Sequence, residues 1–489
     1  MNQSGVIVPS RGPAPNASRK QRIRECFDRL ADERDEWISR NSFFHEDDRN
    51  YMRFLVPEGL RVLELGCGTG EILHALQPSR GVGVDFSGPT IQAAQAKHPE
   101  LEFVLGDIED LTVLEKLEGP FDIIVLSDTI GYLDDCHALF ASLHSLCTAE
   151  TRLIVVYYSH LWEPVLKIAE WLGNKMPQPP LNWITPDDLV GIVELADFEV
   201  IKREWRQILP KRLLGIGRVV NRFIGTLPIL RRFSLRNYVV ARSLRNIEPK
   251  QLSASVIIPC RNERGNIEDA VLRMPRFCDE LEILFVEGNS TDGTFEECQR
   301  IKDMYPDLTI DVLRQDGVGK ADAVRKGFQE ARGQLLIILD ADLTVPPESL
   351  PKFYEAISCG KGEFINGTRM VYPLEQDSMR FLNYWANRVF AWCFTWLLNQ
   401  RFTDTLCGTK VLRRDRYEQI VENRKYFGDF DPFGDFDLIF GAAKLNLKII
   451  EVPVRYASRN YGTTQIARFR HGWRLLRMVF FAYRKLKAF

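Results

Sequence analysis

Two tandem doubly wound α/β domains are predicted for this 489-residue chain. Three observations carry that expectation. The chain is too long for one ordinary hydrophobic core. Apolar, strand-like runs alternate with helical spacers in two separate series. Each series also holds its own chemical signature at the end of a strand. In residues 64–70 it is ELGCGTG, a glycine turn directly after an apolar run. In residues 335–343 it is LLIILDADL, an apolar run that ends in two carboxylates one residue apart.

The elements follow in order. Residues 1–20, rich in Pro, Ser and Asn, read as a disordered tail. Phe27, Leu30, Trp37, Phe43 and Phe44, set among charges over 21–51, predict one or two amphipathic helices. Strands are expected at 61–65, 81–85, 101–105, 121–127 and 152–158, with helices between them, which implies a parallel sheet. Residues 182–201 give a Thr-Pro-Asp helix start, a helix and a closing strand. The first domain thus covers 21–210. Residues 211–250 break the pattern and read as a basic amphipathic linker. A second series begins at 255–259 and continues through 282–287, 309–313 and 335–340, so the second domain covers 251–489. No internal repeat relates the halves.

Composition narrows the class. With 45% apolar and 27% charged residues the chain is a folding sequence, not a disordered one. A net charge of -2 gives no global attraction to nucleic acid, and no such partner is expected. The charge is uneven, however. Residues 211–236 carry seven Lys or Arg and residues 452–489 carry nine, with no acid in either stretch. Such stripes suit a local anionic partner, here an anionic membrane surface. The ten cysteines show no CxxC pair, which disfavours zinc ribbons and disulfide scaffolds and fits a reducing compartment. No long apolar leader opens the chain, and no run of about 18 apolar residues occurs. A cytoplasmic protein, peripheral at the cytoplasmic face of the membrane, is expected.

At the first signature, glycines let the backbone bend sharply and let a ligand approach a helix N-terminus. A GxGxxG dinucleotide fingerprint would need glycine at 71, where Glu71 stands. Asp85 ends the next strand, where a carboxylate can accept from two ribose hydroxyls. Asp107, after the third, is placed to receive an adenine amino group. The ordered set resembles the class I S-adenosylmethionine-dependent methyltransferases over 21–210, which implies a seven-stranded Rossmann-like sheet. The resemblance implies that Glu64, Gly66, Gly68, Gly70, Asp85, Asp107 and Ile108 hold S-adenosylmethionine, with Ser127 and Asp128 edging the methyl-transfer pocket. Asp128, Tyr157, Tyr158 and His160 are the candidates for a base at a hydroxyl acceptor.

At the second signature, side-chain alternation would put Asp340 and Asp342 on one side of the strand to share a hard cation, Mg or Mn. Its companions are VIIPCRNE at 256–263, EGNSTDGT at 287–294, GTR at 367–369 and DTLCGTK at 404–410. In this order the motifs resemble family 2 GT-A glycosyltransferases, especially the polyprenyl-phosphate sugar synthases similar to dolichol-phosphate mannose synthase. That resemblance implies a second Rossmann-like sheet. A nucleotide diphosphate sugar would be held at Pro259, Asn262, Glu263 and Glu287. Arg369 and Arg380 would hold the phosphate of a polyprenyl phosphate acceptor, and Arg459 would approach the donor diphosphate. Where the family has an acidic pair, this chain keeps only Glu287, followed by Gly288.

A polyprenyl phosphate is already an oxyanion and needs guanidinium forks more than a base. A sugar hydroxyl would need a carboxylate, for which Asp435 is the first candidate and Asp437 the second. Residues 378–399 and 468–487 combine aromatic and basic side chains in a manner suited to a headgroup boundary. The expectation is a bifunctional enzyme: inverting, metal-dependent sugar transfer to polyprenyl phosphate, and methylation of a related sugar or lipid-linked intermediate. The alternatives are a polysaccharide glycosyltransferase with a hydroxyl acceptor, or a first domain serving only as an adaptor.

Overall fold

Aliphatic and β-branched runs become strands wherever helices can cover both of their faces. The computed structural model describes residues 18–372, 381–427, 435–457, 461 and 468–488. It divides into two units, Met1–Asn246 and Ile247–Phe489.

The first unit holds β1 (Arg61–Leu65), β2 (Arg80–Asp85), β3 (Glu102–Leu105), β4 (Ile123–Ser127), β5 (Arg152–Tyr158), β6 (Phe198–Arg206) and β7 (Arg236–Ser243). They form one seven-stranded sheet in the order β3-β2-β1-β4-β5-β7-β6. The first five run parallel, and β7 is antiparallel to both β5 and β6. Alternation assigns the core: Leu63 and Leu65 pack into one face, Val62 into the other. With both faces covered, the central strands read as continuous apolar runs.

Two sequence expectations are corrected here. Residues 211–250 do not form a linker, because 236–243 are the seventh strand, inserted between β5 and β6. Basic residues at both its ends hid an apolar centre (YVVA) short enough to be overlooked. The N-terminal region forms three helices, Arg19–Leu30, Arg34–Arg40 and Ser42–Leu55. The first begins inside the segment expected to be a disordered tail, since the Ser18 side chain accepts from the Gln21 N–H and caps it. Residues 1–17 of that tail lie outside the described residues.

The second unit holds β8 (Ala254–Cys260), β9 (Leu281–Glu287), β10 (Thr309–Arg314), β11 (Leu335–Ile338), β12 (Phe364–Thr368), β13 (Lys410–Arg413) and β14 (Ile449–Pro453). The sheet order is β10-β9-β8-β11-β13-β12-β14, with β13 antiparallel to its neighbours β11 and β12. Strands β8 to β11 are parallel, so their carboxyl ends share one edge.

Helices Phe381–Leu398 and Arg468–Leu486 meet through Trp396 stacked on Tyr483, 5.4 Å between centroids. Phe390 and Phe394 face inward, whereas Trp385, Val389 and Trp392 are exposed at helical spacing. Trp473, Leu476 and Phe480 do the same on the second helix. Among the described residues no helix is long and apolar enough to cross a membrane.

Because β6 reaches the first sheet only through β7, a fragment of residues 18–246 is expected to unfold cooperatively, and one of residues 18–210 is not. Thermal unfolding followed by circular dichroism checks this, and a cooperative transition in the shorter fragment would refute it.

Candidate active sites

Behind β1 the chain turns through left-handed glycines, Gly68 at φ +54° among them. A Cβ there would lie 2.5 Å from the Arg34 guanidinium, so the turn also makes room for an arginine from the N-terminal helices. The Gly68 N–H donates to Asp85, and Asp85 also accepts from the Ser87 N–H. Gly70 leaves the next helix without a side-chain cap, and the buried Glu64 carboxylate substitutes by accepting from the Leu73 N–H at 3.0 Å. Burial pushes the Glu64 carboxyl up to about 8, against that hydrogen bond and the Arg34 charge.

Above this turn lies a cavity of about 280 Å³. Of the expected cofactor residues, Glu64, Gly66, Asp85, Asp107, Ile108 and Ser127 line it, while Gly68 and Gly70 are not in its wall. Asp107 is 2.6 Å from the Lys20 ammonium. Of the expected base candidates, Asp128 and Tyr158 line the cavity. Tyr157 points instead into the core and His160 is not in the wall, which corrects their placement at the acceptor.

The first unit's sequence reading missed the group that organises the cavity. Arg236, the first residue of β7, is fully buried. Its Nε and Nη2 donate to Asp48 at 3.3 and 3.0 Å, and its Nη1 to Asp128. The Tyr238 hydroxyl also donates to Asp48. The guanidinium lies 4.9 Å from the Tyr158 ring centroid and 5.4 Å from that of Phe44. Asp128 sits in the left-handed region at φ +56°, which turns its carboxylate toward this arginine. Burial raises the Asp128 carboxyl, with Arg236 opposing. His45, also in the cavity wall, is held down to about 4 by burial, which Asp48 opposes and Arg236, Arg49 and Arg34 reinforce. The one visible signal for Arg236 was an arginine opening an apolar run.

In the second unit the expected donor residues cluster at the carboxyl ends of β8 and β9. Asn262, left-handed at φ +56°, accepts from the Thr291 N–H at 2.9 Å, and its own N–H donates to Ser290. The Glu263 N–H donates to Thr294, and its carboxylate accepts from Asn266. Glu287, buried at the end of β9, accepts from the Ser290 N–H. The RNE and NSTDGT segments are thus stapled into one loop pair beside Pro259.

Strand β11 stops at Ile338, so Asp340 and Asp342 occupy the following turn, and strand alternation does not align them. Asp340 instead pairs with the Lys320 ammonium at 2.6 Å, a partner the sequence reading missed. Burial alone would raise the Asp340 carboxyl; Lys320, Lys410 and Arg369 outweigh it and hold it below its ordinary value. Asp342 accepts from the N–H and hydroxyl of Thr344. Gly408 explains part of the DTLCGTK motif: a Cβ there would lie 2.0 Å from the Asp340 carboxylate.

Arg369 has a partner the sequence did not predict: its Nε and Nη2 donate to Asp404 at 2.7 and 2.8 Å, so one edge of its fork is engaged by a carboxylate. Asn387 donates to the same Asp404. Asp437 is also corrected as a base: it is buried and accepts from Arg424 at 2.9 Å, with Arg325 at 3.8 Å. Arg380, Arg459 and the side chain of Asp435 lie outside the described residues.

Comparison with known proteins agrees with this division. Residues 19–203 match the family model described as methyltransferase domain, and residues 255–416 match glycosyl transferase family 2. The chain therefore carries one domain of each family. It is 39% identical to a dolichol-phosphate mannosyltransferase of Pyrococcus furiosus over 122 residues, 24% of this chain and 34% of that one. It is 25% identical to an undecaprenyl-phosphate 4-deoxy-4-formamido-L-arabinose transferase of Edwardsiella ictaluri, over 43% of this chain and 62% of that one. The chain thus spans between a third and two thirds of the length of these relatives. A SAM-dependent methyltransferase structure from Thermotoga maritima is 18% identical and covers 45% of this chain and 99% of its own, with a TM-score of 0.35.

Two outcomes are expected. A histidine depressed to about 4 in the folded state stabilises it fully above about pH 6.5 and loses that contribution as pH falls toward 4. Glu64, held up, acts in the opposite sense, so the decisive quantity is the stability difference between wild type and His45→Gln. That difference should fall by about 1–2 kcal/mol between pH 7 and pH 5 in urea titrations; a flat difference would contradict it. Asp404→Ala, which strands Arg369, should destabilise the second unit by about 3–5 kcal/mol in the same assay.

Proposed function

We propose that the chain is a bifunctional transferase. Its second domain moves a sugar from a nucleotide diphosphate sugar to a polyprenyl phosphate. Its first methylates a related sugar or a lipid-linked intermediate. One observation carries the sugar-transfer half: Pro259 to Glu263, Glu287, Asp340 and Asp342 gather at the shared carboxyl edge of β8, β9 and β11. Relatives of this domain are named as transferases to dolichol phosphate and undecaprenyl phosphate.

Asp340 and Asp342 are an all-oxygen donor pair, which fits a hard divalent cation such as Mg or Mn. Such a cation would neutralise the departing diphosphate. Lys320, now on Asp340, is the cationic group placed to share that task. Asn262 and Glu263 order the loop facing the nucleotide, and Glu287 buttresses it from β9. Arg380, with Arg369 anchored on Asp404, would meet the acceptor phosphate, and Arg459 would approach the donor diphosphate. Single displacement on this edge inverts the sugar carbon.

In the first domain, S-adenosylmethionine fits a cavity that offers carboxylates at Asp85 and Asp107 and backbone at Gly66. Bound there, it supplies an electrophilic methyl group. Asp128, oriented by Arg236, is the carboxylate placed to take the proton of a hydroxyl or amine acceptor. The exposed aromatic stripes of helices Phe381–Leu398 and Arg468–Leu486 support attachment to an anionic membrane surface, which the proposal sets on the cytoplasmic side.

The test is a donor screen with short-chain polyprenyl phosphate and labelled nucleotide sugars, with and without divalent metal. Metal-dependent label in the lipid fraction is expected, reduced on the order of 100-fold in Asp342→Asn. Donor hydrolysis without lipid label would instead favour a glycan hydroxyl acceptor, with Asp435 as its base.

A further inference from the structure

We propose that the cavity of the first unit opens within an apolar, cationic rim that docks on an anionic bilayer, so that the methyl acceptor is a lipid-borne molecule entering from the membrane. This rests on the reading of that unit as an S-adenosylmethionine-dependent methyltransferase.

Two segments build the rim, and each turns one face to the cavity and the other outward. The first is the turn and helix over residues 160–171. Leu166 and Ala169 line the cavity, and Leu166 packs with Phe44 and Leu235. On the outer side Leu161, Val165, Ile168 and Leu172 are exposed at helical spacing, and Trp171 beside them is 84% exposed. The outward face of a helix on a water-soluble surface is ordinarily polar.

The second segment, 211–233, lies within the stretch 211–250 whose sequence reads as a linker. It folds as short helical turns, and Pro210 and Lys211 at its start border the same cavity. Its outer residues include Leu213, Ile216, Val219 and Phe223, with Leu214 fully exposed and Ile229 75% exposed. The segments are joined where the Trp162 indole donates to the Phe233 carbonyl at 2.8 Å. Leu213 and Leu214 both have positive φ, so the tip of the second segment presents consecutive leucines to solvent.

Charge selects the occupant. Lys211, Arg212, Arg218, Arg222 and Arg232 are all exposed, and residues 211–236 contain no acid. On the neighbouring helix Glu163 and Glu170 are paired with Lys167 and Lys175, so the cations of 211–236 set the charge of the rim. Exposed leucines beside such cations suit a boundary where apolar groups enter the acyl region while cations meet anionic headgroups. A second copy of this surface would bring like charges together. The cavity behind the rim carries a polar group among mainly apolar walls, where Asp48 and Asp128 are held by Arg236. A molecule with a polar head and an apolar tail matches both zones: the head reaches Asp128, and the tail stays at the rim.

The test uses the full chain and phosphatidylglycerol-rich vesicles, brominated on the acyl chains, with phosphatidylcholine vesicles as control. Trp171 is expected to contribute a quenched component on the anionic vesicles that disappears in Trp171→Phe. Methyl label from S-adenosylmethionine is expected in the chloroform extract of such vesicles loaded with a total membrane lipid extract. The variant Leu213→Glu/Leu214→Glu/Ile229→Glu should reduce that label about tenfold and leave the calorimetric affinity for S-adenosylmethionine unchanged. Arg218→Glu/Arg222→Glu should act in the same direction. No quenching of Trp171 overturns the docking surface, and so does a dimer that becomes monomeric in the leucine variant. Absence of chloroform-soluble label overturns the lipid acceptor. Failure of the wild type to bind S-adenosylmethionine sinks the methyltransferase reading separately, because the quenching does not depend on it.

Discussion

In each unit the loops of the candidate site hang on one buried arginine gripped by carboxylates. Arg236 joins three elements distant in sequence: Asp48 from the N-terminal helices, Asp128 after β4, and its own strand β7. Arg369 joins the end of β12 to Asp404, which also accepts from Asn387 in helix Phe381–Leu398. A buried charge of this kind adds little net stability over an apolar core, yet removing one partner costs about 3–5 kcal/mol. The pairs therefore act less as glue than as geometric locks, because a loop that moved away would leave a buried charge without its partner.

Around these locks the parallel sheets do the positioning. Strands running the same way end on one edge, where loops must carry the functional groups. At those ends both units place a non-glycine residue in the left-handed region, Asp128 in one and Asn262 in the other. Such conformations persist only where surrounding hydrogen bonds over-determine them. The Asp128 N–H donates to the Val156 carbonyl while its carboxylate meets Arg236, and both Asn262 bonds reach the NSTDGT loop.

The sequence was legible where local pattern and burial agree. Apolar runs at 61–65, 123–127 and 335–338 became strands, and the glycine turn and the DADL carboxylates lie at strand ends as expected. It misled where a short run had to be judged by its flanks. The strand Arg236–Ser243 opens with a charge, and Arg236 is buried only because two carboxylates from elsewhere neutralise it. Asp340 and Asp342 were aligned by extending a strand past Ile338, where the chain already turns.

The sequence by itself determined the class of each domain, strands β1 to β6 and β8 to β11, and the types of residue that supply carboxylates, glycines and cations; it left β7 and β12 to β14 unread. These follow from local period and spacing. Only the tertiary structure decided what each charge faces: Arg369 turned to Asp404, Asp340 to Lys320, Asp437 to Arg424. It also decided which apolar side chains of 160–233 stay outside the core. A guanidinium or a leucine has the same local preference wherever it stands. Its partner, whether carboxylate, phosphate, core or membrane, is chosen by residues brought near from far along the chain.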